Sequence, residues 1–289
     1  MTKVINNSAP LTRDHHYVPR FLLRPWTRAG ILWGYYKGVP RADLRVRKLG
    51  VGAFCKQLDL LSLKASGLRP DALEREFFGA VDDAGAKARD ALLRGETLAD
   101  ADQRSDFGRL LLSLDARRPP VVAKLRNEGA AALRSSVDLD EEVIEAMREH
   151  GVTQAPSAYF EEKTGQSLDD RALLMMQKLV DNPEVGRRLI NAQWRVYRLG
   201  SGDGSFLLGD RPLIRTAGYS RDDCVWALPL SPEAVFVAAN TEAVAAKLDQ
   251  ATGCELRERI NESTMNQLGR YVFMADESNL PFVRERLAK

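Results

Sequence analysis

Only three histidines occur among 289 residues, and two of them, His15 and His16, are adjacent in DHHYVPRFLLRPWT at residues 14–27. Imidazole exchanges a proton near neutral pH, so it serves as general base, general acid or metal ligand. Val18 precedes Pro19, which biases the segment towards extended backbone. Side chains then alternate, with His15 and Tyr17 on one face and His16 and Val18 on the other. Extended neighbours facing apart do not readily clamp one metal ion. The expectation is one histidine facing a site and the other held by hydrogen bonds. Pro19 can start a short turn, PRFLLR, that Pro25 ends, with Phe21, Leu22 and Trp26 inward and Arg20 outward. A structural role for both histidines is the competing reading.

Asp210 is the second candidate, in FLLGDRPL at the end of an expected strand. Pro212 restricts Arg211 to extended backbone behind it. A carboxylate fixed there can orient a histidine tautomer, share a metal or act as a base; it can also cap its own turn. Arg20, Arg211 and Arg270 can neutralise phosphate charge, and Tyr17, Asn261 and Asn266 complete the candidate substrate contacts. Asn is unfavourable inside a helix, so Asn261 and Asn266 in INESTMNQLGR call for an explanation. The H-E-x-x-H, G-x-S-x-G, P-loop and zinc-finger patterns are missing, and so are the DNA- and RNA-reading module signatures. GSGDGS at 200–205 leads into SFLLGD, a strand-like run rather than a helix, so it reads as a turn and not a phosphate loop.

Charge is uneven. Residues 1–50 hold ten Lys/Arg against Asp14 and Asp43, a net +8, whereas the whole chain is +2. Such a segment can attract phosphate, or it can be a solvated face that pairs with the acidic remainder. Cys55, Cys224 and Cys254 are sparse, odd in number and without metal-ligand spacing, which suits a reducing compartment. No apolar run reaches membrane-spanning length, and the first residues lack a signal-peptide core. The expectation is a cytoplasmic protein without a membrane partner. Metal identity and oligomeric state stay open, with a divalent metal compatible with the histidine and carboxylate set.

The elements that position these residues fall into three stretches: the N-terminal motif and strands at 14–68, a helical region at 69–192, and strands with C-terminal helices at 193–289. Residues 1–13 read as a loose arm. Leu44 and Val46 alternate with Arg45 and Arg47, the period of a half-buried strand. Apolar residues recur every three or four positions from Leu73 to Leu92, a helix closed by Gly95. Met175 and Met176 read as core filler. Residues 193–210 read as a β-hairpin, and residues 255–273 as one long helix. Strands at both ends with helices between imply α+β: a mixed or antiparallel sheet shared by the N- and C-terminal segments, in a single domain of 1–289 with a large helical insertion.

HHYVPRFLLRPW, FLLGDRPL, LPLSPE and INESTMNQLGRYVF, in this order and spacing, resemble the domain-of-unknown-function 4238 family across residues 15 to about 272. Gly209 and Arg211 stand where serine and asparagine are commoner in that family, while Asp210 and Pro212 match. The resemblance implies that His15, His16 and Asp210 share one site, and it implies no reaction.

Two functions are expected in turn. The first is a hydrolase of a phosphodiester or nucleotide, a nuclease-like effector, with His15 or His16 as base or metal ligand, Asp210 orienting it, and nucleic acid or a phosphate-bearing small molecule as partner. The alternative is a non-catalytic binding protein in which the histidine motif is structural.

Overall fold

The structure, a computed structural model, describes residues 10–39, 43–65, 67–98 and 100–288. Most of the expected N-terminal arm, and Lys3 and Arg41 of the basic segment, lie outside the described residues. The fold is mixed α+β with antiparallel sheets, and its helices concentrate between N- and C-terminal strands. No described helix is long and apolar enough to cross a membrane. The chain divides into two compact units: residues 1–15, 57–80 and 116–180, and residues 16–56, 81–115 and 181–289. A two-stranded ribbon pairs β1 (Asp14–His16) with β4 (Lys56–Leu58), and the division passes through both strands.

The first unit is helical. Its helices α4 (Pro119–Lys124), α5 (Ala130–Asp138), α6 (Glu141–Glu149), α7 (Pro156–Thr164) and α8 (Leu168–Val180) succeed one another with short connections. Pro119 and Pro156 occupy first helical turns, where the missing N–H costs nothing, and Gly165 ends α7 in the left-handed region. Leu168, Ala172, Leu173, Met176 and Val180 form the buried face of α8, at the three- and four-residue spacing of a helix. Met176 is core, as expected. Met175 is not: the adjacent position on a helix points elsewhere, and its side chain is exposed.

The second unit holds α1 (Arg20–Leu23), most of α2 (Gly79–Leu93), α3 (Ala101–Ala116), α9 (Pro183–Asn191), α10 (Glu242–Asp249), α11 (Gly253–Asn266), α12 (Leu280–Ala288) and two four-stranded sheets. One sheet runs β5 (Gln193–Arg198), β9 (Ala234–Ala239), β8 (Val225–Ser231), β7 (Ile214–Arg215). The wholly buried AVFVAA of β9 takes an inner position, since both its faces are covered. Val235 and Val237 pack with Leu256 and Ile260 of α11, while Phe236 meets Phe107 of α3 at 4.8 Å between ring centres. Thr252 and Glu255 form a capping box that starts α11.

The other sheet runs β3 (Leu44–Leu49), β2 (Leu32–Lys37), β10 (Val272–Phe273), β6 (Leu208–Gly209), so N- and C-terminal segments share it as the sequence implies. Two expectations are corrected. Residues 193–210 are not a hairpin: β5 pairs with β9, and β6 pairs with β10 in the other sheet. Gly202 and Gly204, both at positive φ, turn the chain, but the strand beyond them joins a different partner. The helix read to residue 273 ends at Asn266, and Val272–Phe273 become a strand because both neighbours, β2 and β6, offer open edges.

Gly34 of β2 leaves room for two rings. A Cβ there would stand 2.5 Å from Cε1 of Phe54 and 3.1 Å from Cε1 of Phe273. Gly34→Ala is expected to cost about 1–3 kcal/mol by overpacking, read as a lower denaturant midpoint at unchanged slope. An unchanged midpoint would show that the rings yield without cost.

Candidate functional site

The strand register places the site. Directly opposed residues of antiparallel strands point to the same face. Tyr36 opposes Arg45, Gly34 opposes both Arg47 and Phe273, and Phe273 opposes Leu208. Two residues further, the Asp210 N–H donates to the Tyr271 carbonyl at 2.9 Å and extends the ladder. Tyr36, Arg45, Arg47, Tyr271, Phe273 and Asp210 therefore share one face. The opposite face, with Tyr35 and Val272, packs on Met265, Met274 and Val283. Phe54 covers the site face edge-on, 5.3 Å from the rings of Tyr271 and Phe273, and the Tyr17 N–H donates to the Cys55 carbonyl beside it at 2.9 Å.

Asp210 is 4% exposed. Its Oδ1 accepts the Gly269 N–H at 2.9 Å and its Oδ2 the Arg270 N–H at 2.7 Å. Gly269 permits this approach, since a Cβ there would lie 3.0 Å from Oδ2. Burial raises the Asp210 pKa, against the lowering by these N–H groups and by the Arg211 charge. The carboxylate also acts on Tyr17 and Cys55. Burial, with Cys55 and Asp210 behind it, pushes the Tyr17 phenol up, and burial with Asp210 pushes the Cys55 thiol well up. Cys55, at φ +52, is therefore a thiol at neutral pH and an inert one. Asp210 acts as a clip that fixes the backbone presenting Arg270 and Tyr271.

Around this clip stand cations. Arg270 lies 5.0 Å from the Tyr271 ring centre and 5.8 Å from that of Tyr36. Arg47 donates to the Tyr271 hydroxyl at 3.2 Å. Arg211 is half-buried next to Gly269, and its carbonyl accepts from the Gln267 amide at 2.6 Å. Arg20 lies against Gly52, in the loop that carries Phe54 and Cys55.

The two histidines separate as the alternation requires. His15 has no exposed surface; the Leu61 N–H donates to its Nδ1 at 2.8 Å and its Nε2 donates to the Thr12 carbonyl at 2.8 Å. Both nitrogens are committed to backbone, so His15 has no free atom for proton transfer, which argues against its candidacy as a catalytic group. His16 is 7% exposed, with Nε2 at 3.3 Å from both the Gly52 carbonyl and Arg20 Nε. The carbonyl needs a proton on Nε2 and the guanidinium needs a lone pair, so the two contacts belong to different tautomers.

Two other candidates fall away from this face. Asn261 is buried: its Oδ1 accepts the Leu207 N–H at 2.8 Å, its Nδ2 donates to the Ser205 carbonyl at 3.1 Å, and Asn279 donates to the same carbonyl. It ties α11 to the segment before β6, so an asparagine inside this helix is a structural tie and not a substrate contact. Asn266 is the exposed last residue of α11. No three His, Cys, Asp or Glu side chains among the described residues converge to hold a metal ion. Sequence reasoning missed Tyr36, Arg47, Cys55, Gly269 and Tyr271; only the Arg45/Arg47 alternation pointed this way.

Comparison with the curated proteins and with the solved structures gives no match to this chain. The family model described as "Protein of unknown function (DUF4238)" matches residues 14–278, a span that includes the histidine motif, Asp210 and the turn it clips. The chain therefore belongs to the DUF4238 family.

Proposed function

We propose that the face bearing Tyr36, Arg47, Arg270 and Tyr271 binds a phosphodiester, in a nucleotide or in nucleic acid. The observation that carries this reading is a set of arginines without acid. Arg20, Arg47 and Arg270 have no carboxylate partner among the described residues, whereas Arg13, Arg69, Arg109 and Arg221 are each paired with an aspartate. Charges on an edge strand also discourage edge-to-edge association. That accounts for Arg45, which pairs with Asp43, but not for Arg270, which stands in a turn against two rings. Guanidinium forks suit phosphate oxygens, and the neighbouring phenols offer hydroxyl contacts. The free thiols of Cys55, Cys224 and Cys254 fit a cytoplasmic setting.

The test is fluorescence anisotropy with a labelled single-stranded oligonucleotide at about 50 and 200 mM salt. Wild type should bind more weakly at the higher salt, and Arg47→Ala and Arg270→Ala should each lower affinity and reduce the salt slope by about one. Variants that bind like wild type would remove this reading.

A second reading, phosphodiester hydrolysis at the same face, is favoured by His16 touching Arg20: a proton acceptor beside a cation that can meet developing phosphate charge. It predicts that His16→Ala binds the oligonucleotide yet cleaves it at a rate lower by about 100-fold or more. A metal-assisted form would rely on an ion carried largely by substrate phosphates, as magnesium often is.

A further inference from the structure

A separate cleft in the second unit, of about 300 Å3, lies between α3, the segment after α2 and strand β5. Its volume falls at the small end of ligand pockets, roughly 300–1,000 Å3. Strand alternation sends Trp194, Val196 and Arg198 to the face of β5 that α3 covers. Arg195 points to the other face, where Glu242 and Asp249 of α10 neutralise it. Arg104 of α3 stacks on Trp194, its guanidinium carbon 4.2 Å from the ring centre.

Arg104 donates through Nη2 to the Ala192 carbonyl at 2.9 Å, and its buried Nε has no acceptor. Arg198 donates through Nη2 to the Leu93 carbonyl. Neither has a carboxylate partner among the described residues. Glu96, the one carboxylate lining the cleft, is held by Arg94 at 2.5 Å. Burial lowers the Arg104 pKa. A half-buried guanidinium without a counter-ion, whose buried N–H has no acceptor, is unfavourable unless an anion completes it.

We propose that this cleft is an anion site for a phosphoryl group, carried by inorganic phosphate or by a small phosphomonoester. Arg104 and Arg198 supply the charge-assisted donors, the exposed Thr97 hydroxyl a further one, and Trp194 fixes the Arg104 fork in plane. Three acceptor oxygens match this donor set better than the two of a carboxylate.

The experiment is calorimetric titration of the full chain with inorganic phosphate and with glycerol phosphate at constant ionic strength. It is run in wild type and in an Arg47→Ala/Arg270→Ala background, so that failure of the sheet face and of this cleft are read separately. Saturable binding should persist in that background and weaken at least tenfold on adding Arg104→Met or Arg198→Met. Tighter binding of glycerol phosphate than of phosphate would identify a metabolite as the ligand, and equal binding phosphate itself. If Arg104→Met fails to fold, Arg198→Met, at the exposed end of β5, carries the test alone. Absence of saturable binding, or equal binding with Arg198→Met, overturns the proposal.

Discussion

Replacing Asp210 with alanine should cost on the order of 3 kcal/mol and abolish oligonucleotide binding, the largest combined effect expected from one substitution on the sheet face. The buried carboxylate accepts the N–H groups of Gly269 and Arg270, and alanine strands both. Both bonds are part-buried, and a donor that loses a charged partner costs up to about 1–3 kcal/mol where water does not replace it. The freed turn is the one that sets Arg270 over Tyr36 and Tyr271, so binding should fall with stability. Asp210→Asn separates the two consequences, because one amide oxygen can satisfy one N–H while the amide nitrogen opposes the other.

The pH dependence of the same residue has a definite sign. Burial raises the folded pKa of Asp210 above the ordinary 3.8. The folded protein then holds this proton more tightly than the unfolded chain does. The resulting stability is full below the ordinary carboxylate value and is lost as pH rises through the folded pKa. Wild type should therefore lose stability relative to Asp210→Asn over that interval. Denaturant midpoints measured from about pH 4 to pH 7 read the difference, and parallel profiles would mean that the buried carboxyl does not titrate as described.

How far the sequence revealed this site depends on distance along the chain. Local signals are legible: Gly95 comes just past the end of α2, Pro119 starts α4, and residues 44–49 are a strand, although Val46 is exposed and the expected alternation in burial is not seen. Asp210 stands out because a strand-end carboxylate before Arg-Pro is constrained by near neighbours. Its partners are not legible, since Gly269 and Arg270 come within reach only through the pairing of β6 with β10. A two-residue strand behind a fourteen-residue helix leaves no periodicity to detect. The hairpin expected at 193–210 failed for a related reason: turn chemistry is local, but which edge a strand joins is decided by buried apolar surface elsewhere in the fold. The family resemblance located the histidine motif and Asp210 without their contacts, and the hydrogen bonds that hold each of them come from residues distant in sequence.

The different bonding of the adjacent histidines makes them the sharpest test of the sheet-face reading. His15→Ala should lose about 2–4 kcal/mol, because it strands the buried Leu61 N–H and empties the volume of an imidazole with no exposed surface. His16→Ala should lose less, since both contacts of its Nε2 are long, at 3.3 Å. For function the order should reverse. His15→Ala, studied below its lowered melting temperature, should bind oligonucleotide within about threefold of wild type, because neither of its nitrogens is available to a ligand. His16→Ala should change binding or cleavage, because it removes the group that Arg20 touches. A His15→Ala protein that keeps its melting temperature but loses binding would reverse the assignment and return His15 to the site. Thermal unfolding and anisotropy on the two variants, side by side, decide which neighbour holds the fold and which one serves the ligand.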